Sequence, residues 1–261
     1  MDLGLSGRVV VVTGGASNIG RAIAVKFAEE HAAVAIVDFD EAQAAATAAQ
    51  ISAGGGRVST YHADVTNLDA VSEAVAGVIA DFGTVDVLVN NVGWSGRLGY
   101  FLTIEPERWD KAYQLNLRST FAMTREVLPT MVAAKRGAIV SIASDAGFGI
   151  THVSEYGAMK AGVMAFSRSI AIEYGRYGIR SNAVAPGIVM PAPEDIGAGS
   201  FWNEGIGYGE KEIRALEAQC PMRIRPTAAD VAAAAAFLAS EPAHALTGQV
   251  PSVSGGFTMP R

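Results

Sequence analysis

The 261-residue chain reads as a doubly wound α/β domain, a parallel sheet with helices on both faces. Three observations lead there. Apolar runs of strand length alternate with helical stretches along the chain. The strand candidates are apolar at successive positions, as strands buried on both faces are. The composition, 50% hydrophobic and 18% charged, supplies enough apolar surface to offset ordering entropy, which excludes a disordered chain. The length fits one domain spanning 1–261, and neither a linker nor an internal repeat interrupts it.

The elements follow in order. Residues 8–12 (RVVVV) form the first predicted strand, followed by a glycine turn and a helix over 19–30. A second strand covers 33–37 and an alanine-rich helix 41–53, stopped by Gly54, Gly55 and Gly56 as glycine after a helix end does. A third strand (58–62) and helix (68–82) lead to a fourth strand at 85–89, then a long helical region over 106–135. A fifth strand at 137–142, a helix over 155–174, a sixth strand at 179–184 and a helix over 228–239 complete the alternation. Residues 190–226, rich in Gly and Pro, are the one break in this rhythm. A loop of that length is read as a substrate lid.

Several function classes are excluded early. Twenty basic against 26 acidic residues give a net charge of −6, without the basic face that nucleic-acid binding needs. A single cysteine, Cys220, rules out an internal disulfide framework. The first twelve residues lack the pattern of a signal peptide, and apolar runs such as 232–239 fall far short of the roughly 20 residues that span a bilayer. A cytoplasmic location is expected, with no membrane or nucleic-acid partner. No His/Cys/Asp cluster has metal-ligand spacing, so no metal is expected.

The first chemical motif is the turn Thr13-Gly14-Gly15-Ala16-Ser17-Asn18-Ile19-Gly20, set between a strand and a helix. Glycines there permit a tight turn and close approach of a pyrophosphate to a helix N-terminus. Gly14, Ser17, Asn18, Ile19 and Gly20 are therefore candidate dinucleotide-binding residues. Eighteen positions on, Asp38 ends the second strand, where a carboxylate accepts both ribose hydroxyls and repels a 2′-phosphate. No Arg or Lys stands in 37–41, so NAD is expected over NADP, with Asp38 and Phe39 at its adenosine end.

With these residues in view, the sequence resembles the short-chain dehydrogenase/reductase family from Gly7 to Met259, which implies a single Rossmann-type domain. Asn18 stands where the family's T-G-x-x-x-G-x-G motif has its middle glycine, and Asn tolerates a left-handed backbone next best. Asp64-Val65 follows the third strand and by resemblance holds the adenine. Asn90-Asn91-Val92-Gly93 matches N-N-A-G after the fourth strand, placing Asn90 and Gly93 among the cofactor residues. Asn116, Ser144, Tyr156-x-x-x-Lys160 and Pro186-Gly187 follow in family order. The turn spacing departs from that of extended, epimerase-type relatives, and the Tyr–Lys spacing from that of enoyl reductase types.

The catalytic candidates are Asn116, Ser144, Tyr156 and Lys160. Tyr156 and Lys160, four apart near a helix start, share one face. A phenol with a pKa of about 10 is a poor base near neutrality, and a neighbouring ammonium favours its phenolate. Tyr156 is thus the expected general acid/base, its pKa lowered by Lys160, the positive nicotinamide ring and helix N-terminal dipoles together, with Tyr156 and Lys160 both also touching the cofactor. Ser144 follows the fifth strand at the carboxyl edge of the sheet, where it can hydrogen-bond a substrate oxygen as charge develops. Ser141, its competitor, lies inside the strand. By resemblance Asn116 anchors a water that relays protons from Lys160, and the protein is a homotetramer.

The substrate is read from the lid. Met190, Phe201, Trp202, Ile206 and Tyr208 among glycines suit a hydrophobic or ring-bearing substrate, with Trp94 and Phe101 as an opposite wall. Trp94, His152, Met190 and Trp202 are the substrate-binding candidates, and Arg97 is a further cation near them. Pro191 occupies the position where relatives have a threonine, leaving Pro186, Gly187 and backbone at Val189 to meet the nicotinamide amide. Five acidic against two basic residues between 190 and 215 make a poor approach for a coenzyme A thioester. The reading is an NAD-dependent dehydrogenase of a cyclic or aromatic secondary alcohol. Alternatives are a 3-hydroxyacyl thioester dehydrogenase and a non-catalytic cofactor-binding subunit, the latter opposed by the intact catalytic set.

Overall fold

The structure, a computed structural model, describes residues 1–191, 196 and 209–259. Among these the strands form one seven-stranded parallel sheet in the order β3-β2-β1-β4-β5-β6-β7. The strands are β1 (Val9–Thr13), β2 (Ala33–Asp38), β3 (Arg57–His62), β4 (Val87–Asn90), β5 (Gly137–Ile142), β6 (Ile179–Pro186) and β7 (Ser252–Val253). The helices are α1 (Asn18–Glu29), α2 (Glu41–Ala53), α3 (Leu68–Phe82), α4 (Pro106–Tyr113), α5 (Ser119–Ala134), α6 (Ser154–Tyr174), α7 (Glu210–Gln219) and α8 (Ala228–Ala239).

Alternation along β1 builds the two layers. Val10 and Val12 face a core with Ile23, Phe27, Val231 and Ala235 of α1 and α8. Val9 and Val11 face the other side, against Val71 and Val78 of α3 and Met123 and Val127 of α5. Because every second side chain of a strand goes to the opposite face, a strand of four valines needs a helical layer on each side.

The chain runs outward from β1 to β3, then returns to place β4 on the other side of β1. That reversal opens a crevice at the carboxyl ends of β1 and β4, where open α/β sheets bind ligands. Asn91, just past β4, ties its rim together. Its Nδ2 donates to the carbonyls of Thr13 (3.1 Å) and Gly14 (3.0 Å), and its backbone N–H to Thr13 Oγ1 (3.0 Å).

Four expectations are corrected. β3 is not buried on both faces; as the edge strand it alternates partly exposed and exposed residues, which its sequence RVSTYH accommodates. The helical region 106–135 is not continuous, because a π turn over Gln114–Arg118 separates α4 from α5. The 190–226 segment is not wholly irregular, since it contains α7. A two-residue strand, β7, pairs with the end of β6 and is too short for a hydrophobic pattern to reveal. No helix among the described residues is long and apolar enough to cross a membrane.

Candidate active site

The glycine turn leaves β1 with Gly14 at φ +61° and enters α1 with Asn18 at φ +44°, the left-handed backbone its motif position requires. Gly20 is obligatory, since a Cβ there would lie 1.8 Å from the Gly14 carbonyl oxygen. Ser17 makes no side-chain cap to α1 and no acidic residue stands in the first turn. By contrast Asp40, Asn67 and Thr227 cap α2, α3 and α8. The first N–H groups of α1 thus face the crevice without a protein side-chain acceptor, a fit for an anionic pyrophosphate.

Asp38 is buried at the end of β2. Its Oδ2 accepts from the Ala16 N–H and its Oδ1 from the Asp40 N–H, each at 3.0 Å. Burial pushes its carboxyl above the ordinary range, while these backbone donors hold it down. Each oxygen keeps a lone pair for a hydroxyl donor. Phe39 beside it is exposed. After β3, Asp64 is exposed and accepts from the N–H and hydroxyl of Thr66, whereas Val65 is buried.

The two asparagines after β4 separate. Asn90 turns away from the crevice, donating to Thr124 Oγ1 at 3.1 Å, with its Oδ1 buried and unpartnered. Asn91 makes the crevice contacts described above. The motif quoted both, but only register at the strand end shows which one faces the turn.

Asn116 sits in the π turn, fully buried. Its Oδ1 accepts from the Trp94 N–H (3.0 Å), and its Nδ2 donates to the carbonyls of Trp94 (2.8 Å) and Ala112 (2.9 Å). The carbonyls of Leu115 and Asn116 accept from the hydroxyls of Ser119 and Thr120, which supports the wide turn. The Asn116 amide thus clamps the loop after β4. Gly93 in that loop passes so close that a Cβ would meet Lys160 Nζ at 2.9 Å and Asn116 Oδ1 at 3.1 Å.

Lys160 is buried on α6 and donates to the Ile142 carbonyl at 2.8 Å. An ammonium has three N–H donors, so two remain for ligand or water. No carboxylate among the described residues pairs with it, and burial lowers its pKa to about 7. Its Nζ lies 5.7 Å from the centre of the Tyr156 ring, as the four-residue spacing expects. Ser144 follows β5, half-buried, and its Oγ accepts from the Ala146 N–H at 3.1 Å. Ser141 is buried within β5.

The electrostatics of the protein by itself run against the phenolate. Burial pushes Tyr156 up to about 12, and a hydrogen bond with the Ser144 side chain offsets only part of this. Desolvation penalises phenolate and ammonium alike, so in the protein by itself it outweighs the attraction between them.

The substrate candidates scatter. The Trp94 ring is covered by Lys111 Nζ, 4.2 Å from its centre, and by Arg108 at 5.7 Å. Phe101 stacks on Trp109 instead of joining Trp94 in one wall, with ring centres 5.6 Å apart. His152, at φ +68°, sets its ring edge-on to Tyr100 at 4.4 Å. Met190 and Pro191 are half-buried and Val189 is buried. Gly187, following Pro186 of β6, donates its N–H to the Val253 carbonyl at 2.9 Å. Trp202, Phe201, Ile206 and Tyr208 lie outside the described residues.

A family model described as enoyl-(acyl carrier protein) reductase matches residues 14–258. The chain belongs to the short-chain dehydrogenase/reductase family. It is 38% identical to (2S)-[(R)-hydroxy(phenyl)methyl]succinyl-CoA dehydrogenase subunit BbsD of Thauera aromatica, over 97% of this chain and 98% of that protein. It is 34% identical to 7alpha-hydroxysteroid dehydrogenase of Bacteroides fragilis, over 97% and 95%. The structure of NAD+-bound xylitol dehydrogenase superposes with a TM-score of 0.89 at 27% identity, covering 97% of this chain and 99% of that one. This short-chain dehydrogenase/reductase is accordingly an oxidoreductase.

Proposed function

We propose that the protein is an NAD-dependent dehydrogenase acting on a ring-bearing secondary alcohol, or on the matching ketone, with Tyr156 as general acid/base. The observation that carries the reading is Tyr156 hydrogen-bonded to the Ser144 side chain, with the buried Lys160 Nζ 5.7 Å from its ring centre and the glycine turn held by Asn91 at the end of β1. NAD, when bound, supplies the hydride acceptor. Asp38 favours it over NADP, because a carboxylate there, which two backbone donors help to keep ionised against its burial, repels a 2′-phosphate. The ring-bearing substrate is supported by the phenyl and steroid substrates named for the two relatives.

Tyr156 donates its proton to the carbonyl oxygen in reduction and receives the hydroxyl proton in oxidation. Ser144 hydrogen-bonds the same oxygen as charge develops. Lys160 keeps two donors beyond its bond to the Ile142 carbonyl, and Asn116 holds the loop of Trp94 that passes beside it. With a phenol near 12, the protein by itself holds the protonated form that reduction needs. Alcohol oxidation is expected to accelerate as pH rises from 7 to 10, and ketone reduction to lack that rise.

The test is NADH formation from a panel of cyclohexanols, phenyl carbinols, polyols, hydroxysteroids and 3-hydroxyacyl thioesters, with NADP in parallel. Turnover of a ring-bearing alcohol with NAD is expected. Tyr156→Phe should cut that turnover by about 10²–10⁴-fold while NADH still binds. Full activity in this variant would overturn the mechanism, and preference for a polyol the substrate. A second reading, a 3-hydroxyacyl thioester dehydrogenase, is favoured by the succinyl-CoA substrate named for the Thauera relative.

A further inference from the structure

Between the loop after β4 and α4 lies a pocket of about 300 Å³ lined by Trp94, Arg97, Glu107, Arg108 and Lys111. Its charge is opposite to that of the molecule: three cations face one carboxylate, in a chain of net charge −6. Arg108 is partly spent. Its Nη2 donates to Glu155 Oε1 at 2.6 Å and to the Arg97 carbonyl at 2.8 Å. Lys111 Nζ in turn lies over the Trp94 ring, 4.2 Å from its centre, which leaves Arg97 to meet a ligand.

The pocket is tied to the chemistry from two sides. Trp94, its floor, is clamped through both backbone groups by Asn116. Glu155, which holds Arg108 and through it the Arg97 loop, immediately precedes Tyr156. The pairing is also incomplete, because Arg108 Nε and Glu155 Oε2 are buried without a partner. Arg97 is exposed, and its guanidinium has no hydrogen bond or ion pair with any described residue. The indole of Trp94 is already covered by Lys111 and Arg108, so what the pocket offers a ligand is the guanidinium of Arg97, whose N–H groups suit an oxyanion.

We propose that this pocket is a subsite for an anionic substituent of the substrate, a carboxylate or a phosphate, with Arg97 as its specificity-determining residue. The inference rests on the alcohol/ketone reading and deepens it: the preferred ring-bearing substrate also carries a carboxylate or a phosphate group.

The experiment compares 4-oxo-4-phenylbutanoate with its methyl ester, and a 3-oxo-3-phenylpropanoyl coenzyme A thioester with its phosphate-free N-acetylcysteamine analogue. Each is assayed as a substrate with NADH, and each is also titrated by tryptophan fluorescence for binding alone. An oxyanion preference of about 10- to 100-fold in kcat/KM or in affinity is expected for at least one pair. In Arg97→Ala that ratio should collapse toward one, and Arg97→Lys should restore part of it. Preference in the acid–ester pair assigns a carboxylate, and preference confined to the thioester pair assigns the phosphates. Equal treatment within both pairs, or a preference that survives Arg97→Ala, overturns the subsite. Selective binding without turnover of any compound would refute the proposed reaction and leave the subsite standing.

Discussion

The two edges of the sheet treat charge in opposite ways. At the amino edge, Asp86 is buried just before β4. Its Oδ2 accepts from the Val9 N–H at 3.0 Å, while Oδ1 meets Arg136 at 2.7 Å and Arg8 at 3.5 Å. Arg8 reaches on to Glu241 at 2.8 Å, and Arg180 donates to the carbonyls of Leu238, Ser240 and Leu246. A cavity of about 410 Å³ lies among these groups, larger than the pocket at Trp94, yet its cations already have acceptors. At the carboxyl edge, Lys160 is buried with one carbonyl and, among the described residues, no carboxylate, and Tyr156 is desolvated beside it. Matched charge holds strands together. Unmatched charge costs stability and leaves donors available for chemistry.

The contrast breaks most visibly at Lys160. Lys160→Met should lower turnover by about 10²–10⁴-fold in a steady-state assay, with the fold retained by circular dichroism. Asp86→Ala should do the reverse, costing about 2–3 kcal/mol in denaturant unfolding by leaving charged donors and the Val9 N–H without their acceptor. Its turnover per folded molecule should match that of the wild type. Equal behaviour of the two variants would erase the distinction between the edges.

A smaller effect sharpens the comparison through pH. Lys160 binds its proton more weakly folded, at about 7, than unfolded, at 10.5. Between those values the unfolded chain holds more protons, so stability rises with pH and the penalty is greatest below 7. From pH 7 to 9 this single group contributes about 2 kcal/mol of added stability. Above about 9 the raised thiol of Cys220, and then the raised Tyr156, work the other way. Denaturant unfolding at pH 7 and 9 should show the rise in the wild type and its loss in Lys160→Met. The smallest effect belongs to Asp38→Asn, which keeps an acceptor for the Ala16 N–H but removes the charge. Its preference for NAD over NADP should fall by about tenfold, measured as the ratio of kcat/KM values.

Most of the fold was legible because strand-length apolar runs such as VVVVT and VLVN have few alternatives once each is followed by a helix. β3 was misjudged because its place at the sheet edge is a property of topology, not of its own residues. The break between α4 and α5 hid in a helical pattern, since Asn116 and the Ser119 and Thr120 hydroxyls support a π turn only through contacts with groups out of register. Tyr156, Lys160 and Ser144 were legible through resemblance to the family's motifs, and the glycine turn through its place between a strand and a helix. Their electrostatics were not, because spacing brings Lys160 to Tyr156 but says nothing of how much water burial removes from both. The Arg108–Glu155 pair, 47 residues apart in the chain, left no local signal.

The most direct measurement is a ¹³C NMR titration of lysine Cε resonances in the wild type, with Lys160 assigned by its loss in Lys160→Met. An ammonium buried away from any described carboxylate should titrate near 7, whereas Lys26, hydrogen-bonded to Glu30, should titrate above the ordinary lysine range. A Lys160 resonance that titrates near 10 would mean that its charge is fully compensated, and the proposed difference between the two edges of the sheet would be wrong.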